Sequence, residues 1–218
     1  MATRIEATTL GEAWIEIASA ILKQGVNGDW EGLPIVEVFR ATLEVGSPAV
    51  DDPIIAQYGD PERLAWMRSN FADRSHVAEL GGSDSYATRL YDYEHTGRDQ
   101  VQWVIDRIAA NPSTRDATIT TFQPLSDNTY IPCISLLDFW LLQGSVQLEV
   151  YAHGIDFGTK GYANLVELAA LQAHVAGELG VVVGTLTMTV KSAHIYETEL
   201  ETMRRIVATT ATGKGIRR

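Results

Sequence analysis

The chain has 218 residues, 45% of them apolar and 21% charged, which suits one globular domain that buries roughly 70% of its unfolded surface. Its 17 Lys and Arg against 28 Asp and Glu leave a net charge of -11, so a nucleic acid polymer is repelled rather than attracted. With one cysteine there is no internal disulfide, no apolar stretch approaches the ~20 residues of a membrane span, and the N-terminus lacks a signal-peptide succession. A soluble cytoplasmic protein, folded as a single domain over residues 1–218, is the expectation.

In chain order, Trp14, Ile17, Ala18 and Ile21 recur at helical spacing and stop near Gly25, which predicts an opening helix. Residues 35–45 mix β-branched and acidic side chains and read as a strand; residues 46–53 are turn chemistry. Residues 61–71 read as a helix, and Gly81-Gly82-Ser83 as a flexible connector. Val101, Val104, Ile105 and Ile108 share one helical face that ends at Asn111-Pro112. A β block follows, with strands at 117–122, 134–142 and 146–153 and a hairpin turn at Gln143-Gly144-Ser145. Alternation of Val146, Leu148 and Val150 with Gln147, Glu149 and Tyr151 predicts one buried face on the third strand. A nearly uncharged helix over 162–179 should be central, followed by a strand at 181–195 and a closing helix at 197–207, with residues 209–218 as a frayed tail.

The lone cysteine, Cys133, follows Pro132 and heads an ordered series: Tyr151-Ala152-His153-Gly154-Ile155-Asp156, Ala163-Asn164-Leu165 and Ala193-His194-Ile195-Tyr196. Upstream stand Ser85-Tyr86-Ala87, Asp99-Gln100-Val101 and Asn111-Pro112-Ser113-Thr114-Arg115. From residue 85 to residue 200 this succession resembles thymidylate synthase, most closely its short archaeal-type members. The resemblance implies an α+β fold in which a mixed sheet packs against helices, and a homodimer in which the sheets of two copies face each other.

It also implies the chemistry. C5 of a pyrimidine is too weak a nucleophile to attack a folate-borne one-carbon unit, so a thiolate first adds at C6. Cys133 would be that thiol, with its pKa lowered by a nearby arginine, for which Arg115 is the matching residue. In the family that arginine also reaches across the dimer, in trans, to the neighbouring subunit's phosphate. Asn164 would read the O4 and N3 edge of the base, since an amide offers one donor beside one acceptor. His194 and Tyr196 would bond the sugar hydroxyl, Asp156 would contact the folate pterin and handle protons, and Tyr86 would line the pocket beside Cys133. The implied cofactor is 5,10-methylenetetrahydrofolate, and the other partner is a pyrimidine nucleoside monophosphate.

The chain departs from the family at the phosphate. His153-Gly154 stands where the family has Arg-Ser, a lone Arg115 followed by Asp116 replaces two arginines, and Phe122 replaces a tryptophan. For the upstream glutamate and a further phosphate arginine the sequence offers Glu37, Glu44, Arg40 and Arg68 as candidates. Methylation of dUMP is the leading expectation, 5-hydroxymethylation of CMP or dCMP the runner-up, and an inactive nucleotide-binding relative a reading of another class. On residue type alone, Cys133 fits a core thiol, Asn164 a helix-start residue, and His194 with Tyr196 a core pair.

Overall fold

The computed structural model describes residues 2–128 and 130–214, with side chains as far as residue 211. Strand β1 (Thr3–Ala7) precedes helix α1 (Leu10–Gln24); the sequence expectation opened on the helix and missed this short edge strand, whose pattern is mostly polar. Thr9 caps α1 by accepting a hydrogen bond from the Glu12 amide, and Leu10, Trp14, Ile17 and Ile21 are buried along one face. A hairpin follows, β2 (Val26–Trp30) and β3 (Leu33–Val45), turned at Glu31 and Gly32, whose φ angles are 55° and 83°. Positive φ at two central residues is the signature of the turn whose twist matches its strands.

Helices α2 (Pro53–Tyr58) and α3 (Pro61–Ala72) each start on proline behind a capping aspartate. Asp52 is buried and accepts from the amides of Ile54, Ile55 and Gly11, which ties α2 to the start of α1. The expected connector at Gly81-Gly82 is a left-handed turn inside a two-stranded ribbon, β4 (His76–Val77) and β5 (Ser83–Asp84). Helix α4 (Tyr86–Tyr91) comes next, capped by Ser85, then α5 (Gln100–Ala110), capped by Asp99. Strands β6 (Ala117–Thr120), β7 (Ile134–Leu142) and β8 (Ser145–Asp156) form the expected β block, with Gln143-Gly144 at its hairpin. Helix α6 (Gly161–Leu179), strand β9 (Val182–Tyr196) and helix α7 (Leu200–Lys214) complete the chain. The frayed tail is corrected over 209–214, which continue α7; residues 215–218 lie outside the described residues.

The main sheet runs β1-β3-β9-β8-β7-β6, with β2 added on β3. Pairs β1/β3 and β8/β9 are parallel and the others antiparallel, so the sheet is mixed and the fold is α+β. α1 and α6 pack against the face that carries Leu43, Met188 and Val150, all buried. α6 is the central helix: Leu165, Leu168, Ala169, Gln172 and Val175 are fully covered. Gln172 is tolerated there because its amide donates to the carbonyls of Val146, Gly184 and Thr185. On β8 the alternation holds except at Gln147, which is buried; its amide accepts from Thr185 N and donates to Ser145 Oγ.

The opposite face carries Leu136, Tyr151, Thr189 and Thr42 in one row and Asp138, Glu149, Thr187 and Glu44 in the next. Leu136 and Tyr151 are each 38% exposed there, an apolar pair on an otherwise polar face that none of the described helices covers. Among the described residues no helix is long and apolar enough to cross a membrane.

Candidate active site

Cys133 lies one residue before β7, half-buried, where its carbonyl accepts from the His153 amide at 2.8 Å. That bond joins the thiol's backbone to β8. The Tyr86 hydroxyl accepts from the Ile134 amide at 3.0 Å, pinning the same strand start from the α4 side. Tyr86 is itself held by Phe71, with ring centroids 4.6 Å apart, and by Asn70, which accepts from its amide at 3.0 Å. Tyr86 stands at the strand start next to Cys133, and burial pushes the tyrosine's pKa well up, so it is a neutral hydroxyl.

At the far ends of β8 and β9, Asp156 stands directly opposite His194, and His194 opposite Glu37 of β3. Both Asp156 oxygens are engaged, one with the Gly158 amide at 2.8 Å and the other with the Thr159 hydroxyl. A carboxylate has about four acceptor positions, so Asp156 retains capacity for further donors. His194 is 3% exposed, and its Nδ1 is buried without a hydrogen-bond partner among the described residues. Burial holds this imidazole's pKa down, partly offset by Asp156. Its ring meets that of Tyr196 edge-on at 5.4 Å, as expected of residues two apart on a strand. Asn164 is 6% exposed in the first turn of α6, and its Nδ2 donates to the Lys160 carbonyl at 3.2 Å.

The thiol differs from expectation. Burial pushes the Cys133 pKa up rather than down, and the charges acting on it are Lys160, which lowers it, and Asp156 and Glu31, which raise it. Tyr130 hydrogen-bonds the sulfur and lowers its pKa. Arg115 plays no such part within the chain: its guanidinium donates to the Ser113 and Thr114 carbonyls at 2.8 and 2.9 Å, in the loop between α5 and β6. The reason is topological, since β6 is the sheet edge and that loop is exposed. Asp116, the other departure there, is clamped by Arg107 and Thr114, which hold its carboxyl down to about 2.

Four residues at the site escaped the sequence reading: Tyr130, Lys160, Glu31 and Trp30. Lys160 carried a signal. It occupies the N-cap of α6 with no side-chain cap bond, a position where a cation opposes the helix dipole and where Ser, Thr, Asp or Asn is preferred. A residue that breaks a local rule at a helix start usually serves something else. Trp30 ends β2 and stacks on His194, centroids 5.5 Å apart and planes 17° apart. Its ring also covers Gly154, where an added Cβ would lie 3.0 Å from the indole. Of the sequence candidates for an upstream glutamate, Glu37 bonds Ser192 beside this cluster, whereas Glu44 pairs with Arg4 at 3.0 Å. Arg68 points to Glu167 at 3.7 Å. Among the described residues no group of three His, Cys, Asp or Glu is placed to hold a metal ion.

Because Cys133 is the only cysteine, thiol chemistry reports on it alone. Alkylation at pH 7 is expected to be slower than for the unfolded chain and to rise with pH beyond the ordinary thiol range. Lys160→Met removes a cation that favours the thiolate, so the rate should fall by about 3–10-fold with the profile moved to higher pH. An unchanged iodoacetamide pH profile would refute the role of Lys160.

The chain is similar to known proteins. A family model described as Thymidylate synthase matches residues 56–214, a longer span than the residues that carry the resemblance. A Methanopyrus kandleri protein named "Putative thymidylate synthase" is 30% identical over 202 residues, covering 90% of this chain and 94% of its own. A protein of the same name from Methanosarcina acetivorans is 29% identical over 211 residues, with 93% and 94% covered. The "Thymidylate synthase" of Varicella-zoster virus is 27% identical over 150 residues, 64% of this chain and 50% of its own.

Proposed function

The chain belongs to the thymidylate synthase family, a family of one-carbon transferases that act with a folate on C5 of a pyrimidine nucleotide, and from that premise we propose that it methylates dUMP. The observation that supports this most is the convergence on one thiol: Tyr130 bonds Cys133, Lys160 favours its thiolate, and the charge of Asp156 acts on both Cys133 and Tyr196.

Cys133 adds as thiolate to C6 of the pyrimidine, with Lys160 and Tyr130 stabilising the sulfur's charge before attack, and the electron pair released into the ring makes C5 nucleophilic. Asn164 reads the base edge; with its Nδ2 partly held by Lys160, its Oδ1 and second N–H remain for the ligand. His194 Nδ1, buried and unpartnered, suits a sugar hydroxyl, with Tyr196 beside it. The residues present fit a folate, since Asp156 keeps free acceptor positions for pterin N–H groups at the base end of the site. A bound 5,10-methylenetetrahydrofolate supplies the one-carbon unit and, for a methyl product, the hydride. After the one-carbon unit is joined to C5, the proton on C5 is lost to a base, for which Asp156 is the candidate, and Cys133 leaves C6 as the product is completed. We further assign a homodimer, sheet to sheet through the uncovered face with Leu136 and Tyr151, in which Arg115 acts in trans and the compartment is the cytoplasm.

5-Hydroxymethylation of CMP or dCMP is the second reading, favoured by the altered phosphate positions at His153-Gly154 and Asp116. Tritium release from C5-labelled dUMP, CMP and dCMP, with the product mass, decides between them: a methyl product from dUMP alone is expected, and release only from a cytosine nucleotide would overturn the first reading. Asn164→Asp should move the cytosine-to-uracil ratio of kcat/KM by at least about tenfold; an unchanged ratio would show that the base is read elsewhere.

A further inference from the structure

Apart from Arg115 acting in trans, no residue assigned so far grips a phosphate, and the sheet itself offers two cations. Several of the chain's arginines are committed elsewhere: Arg4 to Glu6 and Glu44, Arg68 to Glu167, Arg89 to Asp127, Arg107 to Asp116, Arg115 to its own loop. Two described cations of the sheet are not. Arg40 of β3 and Lys191 of β9 are exposed and make no ion pair or side-chain hydrogen bond among the described residues.

Their register places them together. Phe39 pairs with Ser192 and Ala41 with Val190, so Arg40 stands across from Lys191. Ala152 pairs with Val190 and Gly154 with Ser192, so Lys191 stands across from His153. Both ladders are interrupted at this row, and Arg40 takes a left-handed φ of 56°. Such irregularities re-aim side chains and gather next to sites. The charge of Lys191 acts on His153, whose Nε2 is buried with no partner. His153 in turn meets Tyr151 edge-on at 5.6 Å, on the face assigned to the second copy. The neighbouring Gly154 can supply no side-chain donor, because Trp30 fills the space where one would stand.

We propose that Lys191 and Arg40, with the buried Nε2 edge of His153, form the phosphate grip of this site, one side chain from each of three adjacent strands. The proposal rests on the reading of the site as one for a pyrimidine nucleoside monophosphate. Two exposed cations and an imidazole recognise a dianion without the planar fork of a guanidinium pair, so the grip works by charge more than by bidentate geometry. Binding of the monophosphate should therefore weaken steeply with salt, whereas binding of the nucleoside should not.

The test compares dUMP with deoxyuridine in the full-length protein. Lys191→Met is expected to weaken dUMP binding, read by calorimetry and as KM, by about tenfold, with deoxyuridine binding and kcat little changed. Arg40→Gly, which removes the charge and suits the positive φ, should do the same, and Lys191→Arg should restore most of the loss. A thermal melt of each variant confirms that it is folded. If wild type binds dUMP but both variants bind it as tightly, or lose dUMP and deoxyuridine equally, the grip is refuted while the function stands. If wild type binds neither dUMP nor CMP nor dCMP, the functional reading falls and the grip with it.

Discussion

Cys133→Ser is expected to lower turnover by at least about 10,000-fold while leaving nucleotide affinity within a few-fold of wild type. The oxygen of serine is a far weaker nucleophile near neutral pH, and no other thiol exists in the chain to replace it. The backbone bond from His153 to the Cys133 carbonyl and the Tyr86 clamp on Ile134 do not involve the sulfur, so the strand start should stay in place. Tritium release measures the first effect and calorimetry the second. Retention of a tenth or more of wild-type activity would remove Cys133 from the mechanism.

Asp127→Ala is expected to cause the largest loss of stability, about 3–5 kcal/mol, because it strands a buried charge. Arg89 is 1% exposed and spends all of its donors: on both Asp127 oxygens at 2.8 and 2.7 Å, on the Thr121 and Asp84 carbonyls, and on Ser83 Oγ. Asp127 also accepts from the Gln123 amide at 2.7 Å, so this pair fixes the loop that runs from the end of β6 through Tyr130 to Cys133. The thermal midpoint should fall by roughly 10 °C. Because Tyr130 is released from the sulfur, Cys133 alkylation should also change its pH profile below the melting range. Replacing both partners, Arg89→Met with Asp127→Leu, should cost less than Asp127→Ala alone, since no unpaired charge remains. Equal urea midpoints for Asp127→Ala and wild type would show that the pair is not holding the loop.

Much of this was legible beforehand, for reasons specific to each element. The helix α6 announced itself by a nearly uncharged run, and β7 to β9 by β-branched runs between turn residues, because those elements are buried and burial fixes residue type. β1 and β2 were missed because edge strands are polar and short, with only one neighbour to satisfy. Cys133, Asp156, His194 and Tyr196 could be named because motifs keep their order along β7, β8, β9 and α6, and the sheet brings the ends of those strands together. Lys160, Tyr130 and Trp30 lie outside such motifs and act through space, one from a helix cap, one from a loop and one from a hairpin tip. Arg115 was expected beside the thiol, and within one chain the edge position of β6 keeps it away. The grip of Arg40, Lys191 and His153 depends on three strands being side by side, a relation invisible until the register is known.

The central claim is that Cys133 bonds to C6 of a pyrimidine nucleotide in the course of folate-dependent one-carbon transfer. Its most direct measurement is mass spectrometry of the intact protein after incubation with 5-fluoro-dUMP and 5,10-methylenetetrahydrofolate, followed by peptide mapping. A covalent adduct carrying both molecules, located on the peptide that contains Cys133 and absent from Cys133→Ser, is the expected result. Unmodified protein with every fluoropyrimidine nucleotide, uracil and cytosine alike, or an adduct that persists in Cys133→Ser, would contradict it.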